Sequence, residues 1–103
     1  MNDLEIELAA QRFGLLSDPT RLRILHLVME RGELPVYEVA VLARTSRFNA
    51  SAHLNRLAGA GMVARRRQGS MVYYRTDDAR LPQICEVMCA SLRDRARTLA
   101  AGA

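Results

Sequence analysis

The chain has 103 residues, half of them hydrophobic, which is the size of one domain with a small packed core. It has no apolar run long enough to span a bilayer, and its acidic start, Met1 to Glu7, lacks the layout of a signal peptide. We therefore expect a single cytoplasmic domain over residues 1–103 that does not bind a membrane. Its net charge of +4 indicates an anionic binding partner.

Two helices are predicted at the N-terminus. The first covers about residues 3–15, with Asn2 or Asp3 as its cap. The second begins at Pro19 after the capping acid Asp18 and ends at Gly32, because proline suits the first helical position and glycine suits the end. Its predicted buried stripe consists of Leu22, Ile24, Leu25, Val28 and Met29.

A helix-turn-helix is predicted over about residues 35–60. Pro35 opens the shorter helix, whose predicted inward positions are Val36, Val39, Ala40 and Ala43. Thr45 or Ser46 caps the next helix, and Gly61 stops it. Its inward positions, Ala50, Leu54 and Leu57, recur at helical spacing.

After Gly61 the apolar period changes from about 3.6 residues to about 2, which predicts two strands. They form a hairpin over about residues 62–76, with Gln68-Gly69-Ser70 as the turn. A long amphipathic helix over about residues 79–100 follows, capped by Asp77 or Asp78. The predicted order is α-α-α-α-β-β-α, a mainly helical fold with a β-hairpin wing: a winged helix-turn-helix.

The positive charge is concentrated in the predicted helix-turn-helix and wing. Between Val39 and Thr76 there are seven arginines and no acidic residue. A charged helix face that only contacts solvent usually carries both positive and negative side chains. A stretch with positive charges alone indicates that the partner is a polyanion such as nucleic acid.

Three stretches resemble the ArsR/SmtB family of bacterial winged-helix repressors. The first is Leu16–Leu25, with Asp18-Pro19-Thr20-Arg21-Leu22 at its centre. The second is the predicted recognition helix, Ser46–Val63, and the third is the wing, Arg66–Arg75. The resemblance implies a homodimer, built by the first and last helices, that binds a double-stranded DNA operator and releases it when an inducer arrives.

Two departures from the family concern metal binding. Arsenic and cadmium sensors of this family read E-L-C-V-C-D-L where this chain reads Glu33 to Val39, with Pro35 and Tyr37 in place of both cysteines. Zinc sensors carry Asp and His pairs on the last helix, and here no histidine follows His53. Neither metal site carries over, so no cofactor is expected and the metal ligands remain unknown.

Candidate DNA contacts lie on the recognition helix and the wing. Arginine can bond guanine, asparagine can bond adenine, and apolar groups can contact the thymine methyl, while wing arginines contact phosphates. Phe48 either faces DNA, where its ring could contact a thymine methyl group, or folds back under the helix turn. The predicted set is Arg47, Phe48, Asn49, Ser51, Ala52, Asn55, Arg56, Arg65, Arg66, Arg67, Gln68 and Ser70.

Other polar and aromatic residues have simpler interpretations. Two of the three consecutive wing arginines should point one way, because side chains alternate along a strand. Of Tyr73 and Tyr74, one is expected in the core and the other near the base of the wing. His26 and His53 are expected to be partly buried and satisfied rather than ligands.

Cys85 and Cys89 lie four residues apart and therefore share a face of the last helix. One interpretation is a sensor in which the thiols bind a soft metal or arsenite, or respond to oxidation or persulfidation. The other is two small apolar residues packed in a dimer seam. The predicted dimer interface comprises Leu4, Leu8, Leu81, Ile84, Cys85, Met88, Leu92 and Leu99.

The sequence thus predicts a dimeric, sequence-specific DNA-binding repressor of the ArsR/SmtB type. The alternatives are a thiol-based metal or redox sensor on the same fold, and a winged helix used for protein–protein contact. An enzyme is not expected, since no nucleophile–base pair, paired carboxylate or phosphate-binding glycine loop is visible.

Overall fold

The structure, a computed structural model, describes residues 1–102, so Ala103 at the end of the predicted domain lies outside the described residues. The order of elements confirms the predicted winged helix-turn-helix and adds a short first strand. The helices are α1 (Asp3–Leu15), α2 (Pro19–Arg31), α3 (Val36–Leu42), α4 (Arg47–Gly59) and α5 (Arg80–Gly102). The strands are β1 (Glu33–Pro35), β2 (Ala64–Gln68) and β3 (Met71–Arg75).

Side-chain caps define where most of the helices begin. Each capping oxygen accepts a hydrogen bond from a backbone N–H two or three residues later, at 2.8–3.1 Å, which satisfies a group that has no partner within the helix. The capping residues are Asn2, Asp18, Ser46 and Asp78. Backbone donation from Arg21 is the main reason that the pKa of Asp18 is lowered.

The turn between α3 and α4 is built without glycine. Arg44 has a φ of 56°, the left-handed conformation that commonly ends a helix. The N–H of Thr45 then donates to the carbonyl of Ala40 at 3.0 Å, which closes the end of α3. This turn sets the angle at which α4 leaves α3 and leaves the Arg44 side chain exposed.

The sheet is antiparallel, with the strand order β1-β3-β2. The hairpin of β2 and β3 closes between Gln68 and Met71, and Gly69 has the positive φ of 61° that a tight hairpin turn favours. On the other side of β3, Leu34 of β1 is paired with Tyr74. The sequence reasoning missed β1 because a three-residue strand has too few positions to display an alternating pattern.

The core lies between α2, α3, α4 and the sheet. It confirms the predicted inward positions Val39, Ala40, Ala43, Ala50, Leu54 and Leu57, all of which are buried. The predicted stripe of α2 was wrong at Leu22, whose side chain is 41% exposed. Arg21 is buried instead, because its guanidinium donates to the carbonyl of Leu15 at 3.0 Å and to Nδ1 of His53 at 3.3 Å.

The two terminal helices add little to this core. Within the described chain α1 buries no residue and α5 buries only Leu81. The radius of gyration, 15.2 Å, exceeds the roughly 13 Å expected of a compact domain of this length. The terminal helices therefore leave apolar side chains in contact with solvent.

Candidate nucleic-acid interface

The outward face of α4 combines cations with an exposed aromatic ring. Arg47, Phe48, Ala52, Asn55 and Arg56 are exposed. Phe48 is 87% exposed, so it does not fold back under the helix turn. The remaining predicted contacts of this helix, Asn49 and Ser51, are half-buried at its edge.

Both asparagines of α4 use part of their amide within the protein. Asn49 donates through Nδ2 to Oγ1 of Thr45 at 2.7 Å, and Asn55 accepts through Oδ1 from the hydroxyl of Tyr74 at 2.7 Å. Burial raises the pKa of Tyr74, so its hydroxyl stays protonated as a donor. Tyr74 is the predicted core tyrosine, and its hydrogen bond ties the wing to the recognition helix.

Arg47 at the start of α4 is also in contact with α3. Its guanidinium carbon lies 5.9 Å from the centre of the Tyr37 ring, within the range of a cation–π contact. Tyr37 is one of the two positions at which the sequence resemblance implies a cysteine in arsenic and cadmium sensors, and its ring here lies beside an arginine.

Arg66, the middle of the three wing arginines, is held by other side chains. It donates to both carboxylate oxygens of Glu33 at 2.7–3.1 Å and to Oε1 of Gln68 at 2.7 Å. Its guanidinium carbon also lies 4.4 Å from the centre of the Tyr73 ring, near the base of the wing. The bond from Arg66 is the main cause that lowers the pKa of Glu33, and the same bond raises the pKa of Arg66.

Arg65 and Arg67 are exposed, whereas Arg66 is half-buried, as the alternation of a strand predicts. Arg75 bonds Asp77 at 2.7 Å and lies 3.9 Å from Glu33. Acids from outside the acid-free stretch therefore neutralise two of its seven arginines. The other five have no ion pair with any of residues 1–102: Arg44, Arg47, Arg56, Arg65 and Arg67.

The two histidines differ. His53 is half-buried and accepts from Arg21 through Nδ1, which confirms the satisfied position expected of it. The same expectation was wrong for His26, whose side chain is 64% exposed and lies 3.4 Å from Glu30 on the next turn of α2.

Cys85 and Cys89 both line a cleft of about 310 Å³ between α2 and α5. Around them are Phe13, Leu22, His26, Met29 and Met88. Burial, with a smaller contribution from Cys89, raises the pKa of Cys85 and favours its thiol form. Within residues 1–102 no three His, Cys, Asp or Glu side chains are grouped so that they could hold a metal ion.

The residues assigned to the dimer interface fall into three groups by exposure. Six apolar side chains are 49–63% exposed in the single chain: Leu4, Leu8, Ile84, Met88, Leu92 and Leu99. Cys85 is half-buried in the cleft. Leu81 was wrongly assigned, because it is only 6% exposed and belongs to the core of its own chain.

Several residues that shape this surface were absent from the predicted set. Arg44 stood in the acid-free stretch and could have been included on charge alone. Glu33 could not, because it meets Arg66 only through the pairing of β1 with β3. Tyr37 and Arg21 likewise depend on contacts between helices that no local pattern reveals.

None of the helices in the described part of the chain is long and apolar enough to cross a membrane.

Comparison with known proteins places the chain in a family. The family described as "Helix-turn-helix domain" matches residues 16–66. The chain is 39% identical over 77 residues to a cadmium resistance regulatory protein CadC homologue of Staphylococcus aureus, covering 75% of this chain and 64% of that one, less than two thirds of the relative. It is 36% identical over 88 residues to the arsenic resistance regulator ArsR2 of Pseudomonas putida, covering 85% and 76% respectively.

A solved structure is similar to the fold. It is a homodimeric winged helix-turn-helix DNA-binding domain from Mycobacterium bovis, described as a possible ArsR-family transcriptional regulator, and it matches with a TM-score of 0.75 and 30% identity, over 87% of this chain and 88% of that one. The arrangement of helices and wing, the matched domain and these identities agree, and the chain belongs to the ArsR family of helix-turn-helix transcriptional regulators.

Proposed function

We propose that this protein is a homodimeric repressor that binds a specific double-stranded DNA operator. The observation that carries the proposal is the unpaired arginine cluster, defined as Arg44, Arg47, Arg56, Arg65 and Arg67. These cations lie on α4, on the turn before it and on the wing, the parts of a winged helix-turn-helix that approach DNA. These arginines have no ion-pair partner within the described chain, so DNA phosphates can neutralise their charge.

The start of α4 is suited to reading base edges in the major groove. Arg47 can bond guanine through its guanidinium, and the exposed methyl of Ala52 can contact thymine. Asn49 uses one N–H of Nδ2 for Thr45, so Oδ1 and the second N–H are left for a base, and Ser51 lies half-buried near it in the helix. Asn55 keeps its amide nitrogen for DNA because its oxygen already accepts from Tyr74.

The wing is suited to contacting the backbone. Arg65 and Arg67 are exposed and unpaired, and Ser70 lies exposed at the hairpin turn. Arg66 was included in the predicted DNA contacts, but because it bonds Glu33 and Gln68 we propose a structural role for it within the wing. Phosphate contacts of this kind orient the protein and carry no sequence information directly.

The dimer is proposed from the terminal helices. Their exposed apolar side chains form a surface that α2, α3 and α4 leave uncovered, and exposed apolar surface of this extent is typical of an interface. The Mycobacterium bovis relative is homodimeric, which supports the same assembly here. Two-fold pairing through α1 and α5 would set the two α4 helices roughly 34 Å apart, one turn of DNA.

A binding titration at several salt concentrations tests this function. The protein is mixed with a duplex selected from a randomised pool and with an unselected duplex. We expect tighter binding to the selected duplex and a steep fall of affinity with salt, because each phosphate contact releases counterions. Weak binding to both duplexes with no dependence on salt would favour the alternative, a winged helix for protein–protein contact.

A second candidate function is thiol-based sensing by the same repressor. It is favoured by the cleft that both Cys85 and Cys89 line, together with the cadmium and arsenic resistance roles in the names of the relatives. An intrahelical disulfide between cysteines four residues apart would strain the helix, so binding of a soft metal or arsenite is the preferred version.

The double variant Cys85→Ser, Cys89→Ser tests the sensor. Wild type should release the selected duplex on addition of arsenite or cadmium, and the variant should not. Peroxide and persulfide serve as the redox arms of the same assay. If the wild type ignores all four reagents, or the variant still responds, then the cysteines only pack within the molecule.

A further inference from the structure

Phe48 is the most exposed large hydrophobic side chain of the protein among residues 1–102. It is 87% exposed at the second position of α4, directly after Arg47 and the capping residue Ser46. A free aromatic ring of this size is costly to leave in water, since the hydrophobic effect favours its burial. Its exposure leaves the ring free to contact a partner from outside the single chain.

The proposed dimer would not cover this ring. Apart from Tyr37 and Val41 on α3, the other large exposed hydrophobic side chains lie at the N-terminus or on α1, α2 and α5. Phe48 instead lies in a segment that carries exposed cations: Arg47 precedes it, Arg44 is in the turn before the helix, and Arg56 is two turns further along the same helix. An apolar partner that carries no negative charge would leave these arginines without counterions.

We propose that Phe48 is a specificity-determining residue that contacts the 5-methyl group of a thymine in the major groove. This inference rests on the proposed function and deepens it, because it names the base that one side chain recognises. Thymine is the base that presents an apolar group in the major groove, and it belongs to a polyanion that also neutralises the neighbouring arginines. The residues at the start of a recognition helix are those that contact base edges.

The proposed contact can be tested by removing only the methyl group from the base. Deoxyuridine lacks the 5-methyl group and keeps the same hydrogen-bonding groups as thymidine. Burial of one methyl-sized group contributes about a fourfold change in the dissociation constant. Replacing thymine by uracil at the contacted position should therefore weaken wild-type binding about fourfold. At the other positions, the effect of the replacement should not depend on Phe48.

The experiment uses the full chain and a duplex selected from a randomised pool. Each thymine in the selected duplex is replaced by deoxyuridine in turn, and affinities are measured for wild type, Phe48→Ala and Phe48→Leu. Val41→Ala serves as the control, because Val41 is also an exposed apolar residue, 72% exposed, but on α3. Thermal unfolding of each variant checks that the fold is retained.

We expect wild type and Val41→Ala to lose affinity at the same thymine, related by symmetry in the two half-sites. Phe48→Ala should bind the thymine and uracil duplexes equally at that position, and Phe48→Leu should retain part of the difference. If no thymine replacement weakens wild type, or if Phe48→Ala loses as much as wild type, the assignment is overturned while the proposed DNA binding stands. Failure to select any sequence, with no effect of salt, would overturn both.

Discussion

The wing offers a direct test of which arginines contact DNA. Arg66 and Arg67 are adjacent in sequence and equal in charge, yet Arg66 bonds both carboxylate oxygens of Glu33 and Arg67 is exposed and unpaired. We predict that Arg67→Ala reduces the salt dependence of DNA binding. The charge-neutral double variant Glu33→Gln, Arg66→Gln should leave it unchanged, because it removes a cation that is already neutralised together with its anion.

The size of the effect follows from counterion release. Each phosphate contact contributes about 0.9 to the slope of log affinity against log salt. Two wings in a dimer would lose two contacts, so Arg67→Ala should lower the slope by about 1.8. Over a fourfold increase in salt, that difference amounts to about a twelvefold change in the affinity of wild type relative to the variant.

The assay is fluorescence anisotropy with one labelled duplex over a series of salt concentrations. Arg65→Ala provides an independent repeat of the Arg67 result, since Arg65 is also exposed and unpaired. A double variant at Glu33 and Arg66 that flattens the slope as much as Arg67→Ala would refute the reasoning, because Arg66 would then contact phosphate despite its carboxylate partner. Unfolding curves ensure that the hairpin remains folded in each variant.

Three further outcomes are expected. Tyr74→Phe should lower the free energy of unfolding by about 1 kcal/mol in urea, because it removes the hydrogen bond to Asn55, whereas Tyr73→Phe should not, since the Tyr73 hydroxyl has no hydrogen bond within residues 1–102. The pKa of Asp18 is lowered from 3.8, so its contribution to stability is present above that pH and is lost as the pH falls through the lower folded-state value. Asp18→Asn should therefore make acid unfolding less dependent on pH in this range. An unchanged pH profile of unfolding would contradict this prediction. Leu92→Asp in the exposed face of α5 should give monomers in sedimentation and abolish operator binding, and a dimer of unchanged affinity would remove Leu92 from the interface.

The local elements of this protein were determined by its sequence. Asp18 before Pro19 defined the start of α2, and the spacing of Ala50, Leu54 and Leu57 defined the buried face of α4, since helical periodicity and capping depend on residues a few positions apart. The change of period after Gly61 predicted the wing. The acid-free stretch likewise indicated where the cationic surface would lie.

The pairing of charges was decided by the tertiary structure alone. Glu33 is 33 positions from Arg66 in the chain, and the pairing of β1 with β3 brings its strand into the sheet that carries Arg66. The same holds for the partners of Arg21: helical spacing from Ile24, Leu25 and Val28 puts it on the buried face of α2, but only the tertiary structure shows that Leu15 and His53 accept its hydrogen bonds. Sequence periodicity reports the face on which a side chain lies, whereas its partners depend on elements distant in sequence. Those partners separate the arginines that are free to bind DNA from the ones that hold the wing together.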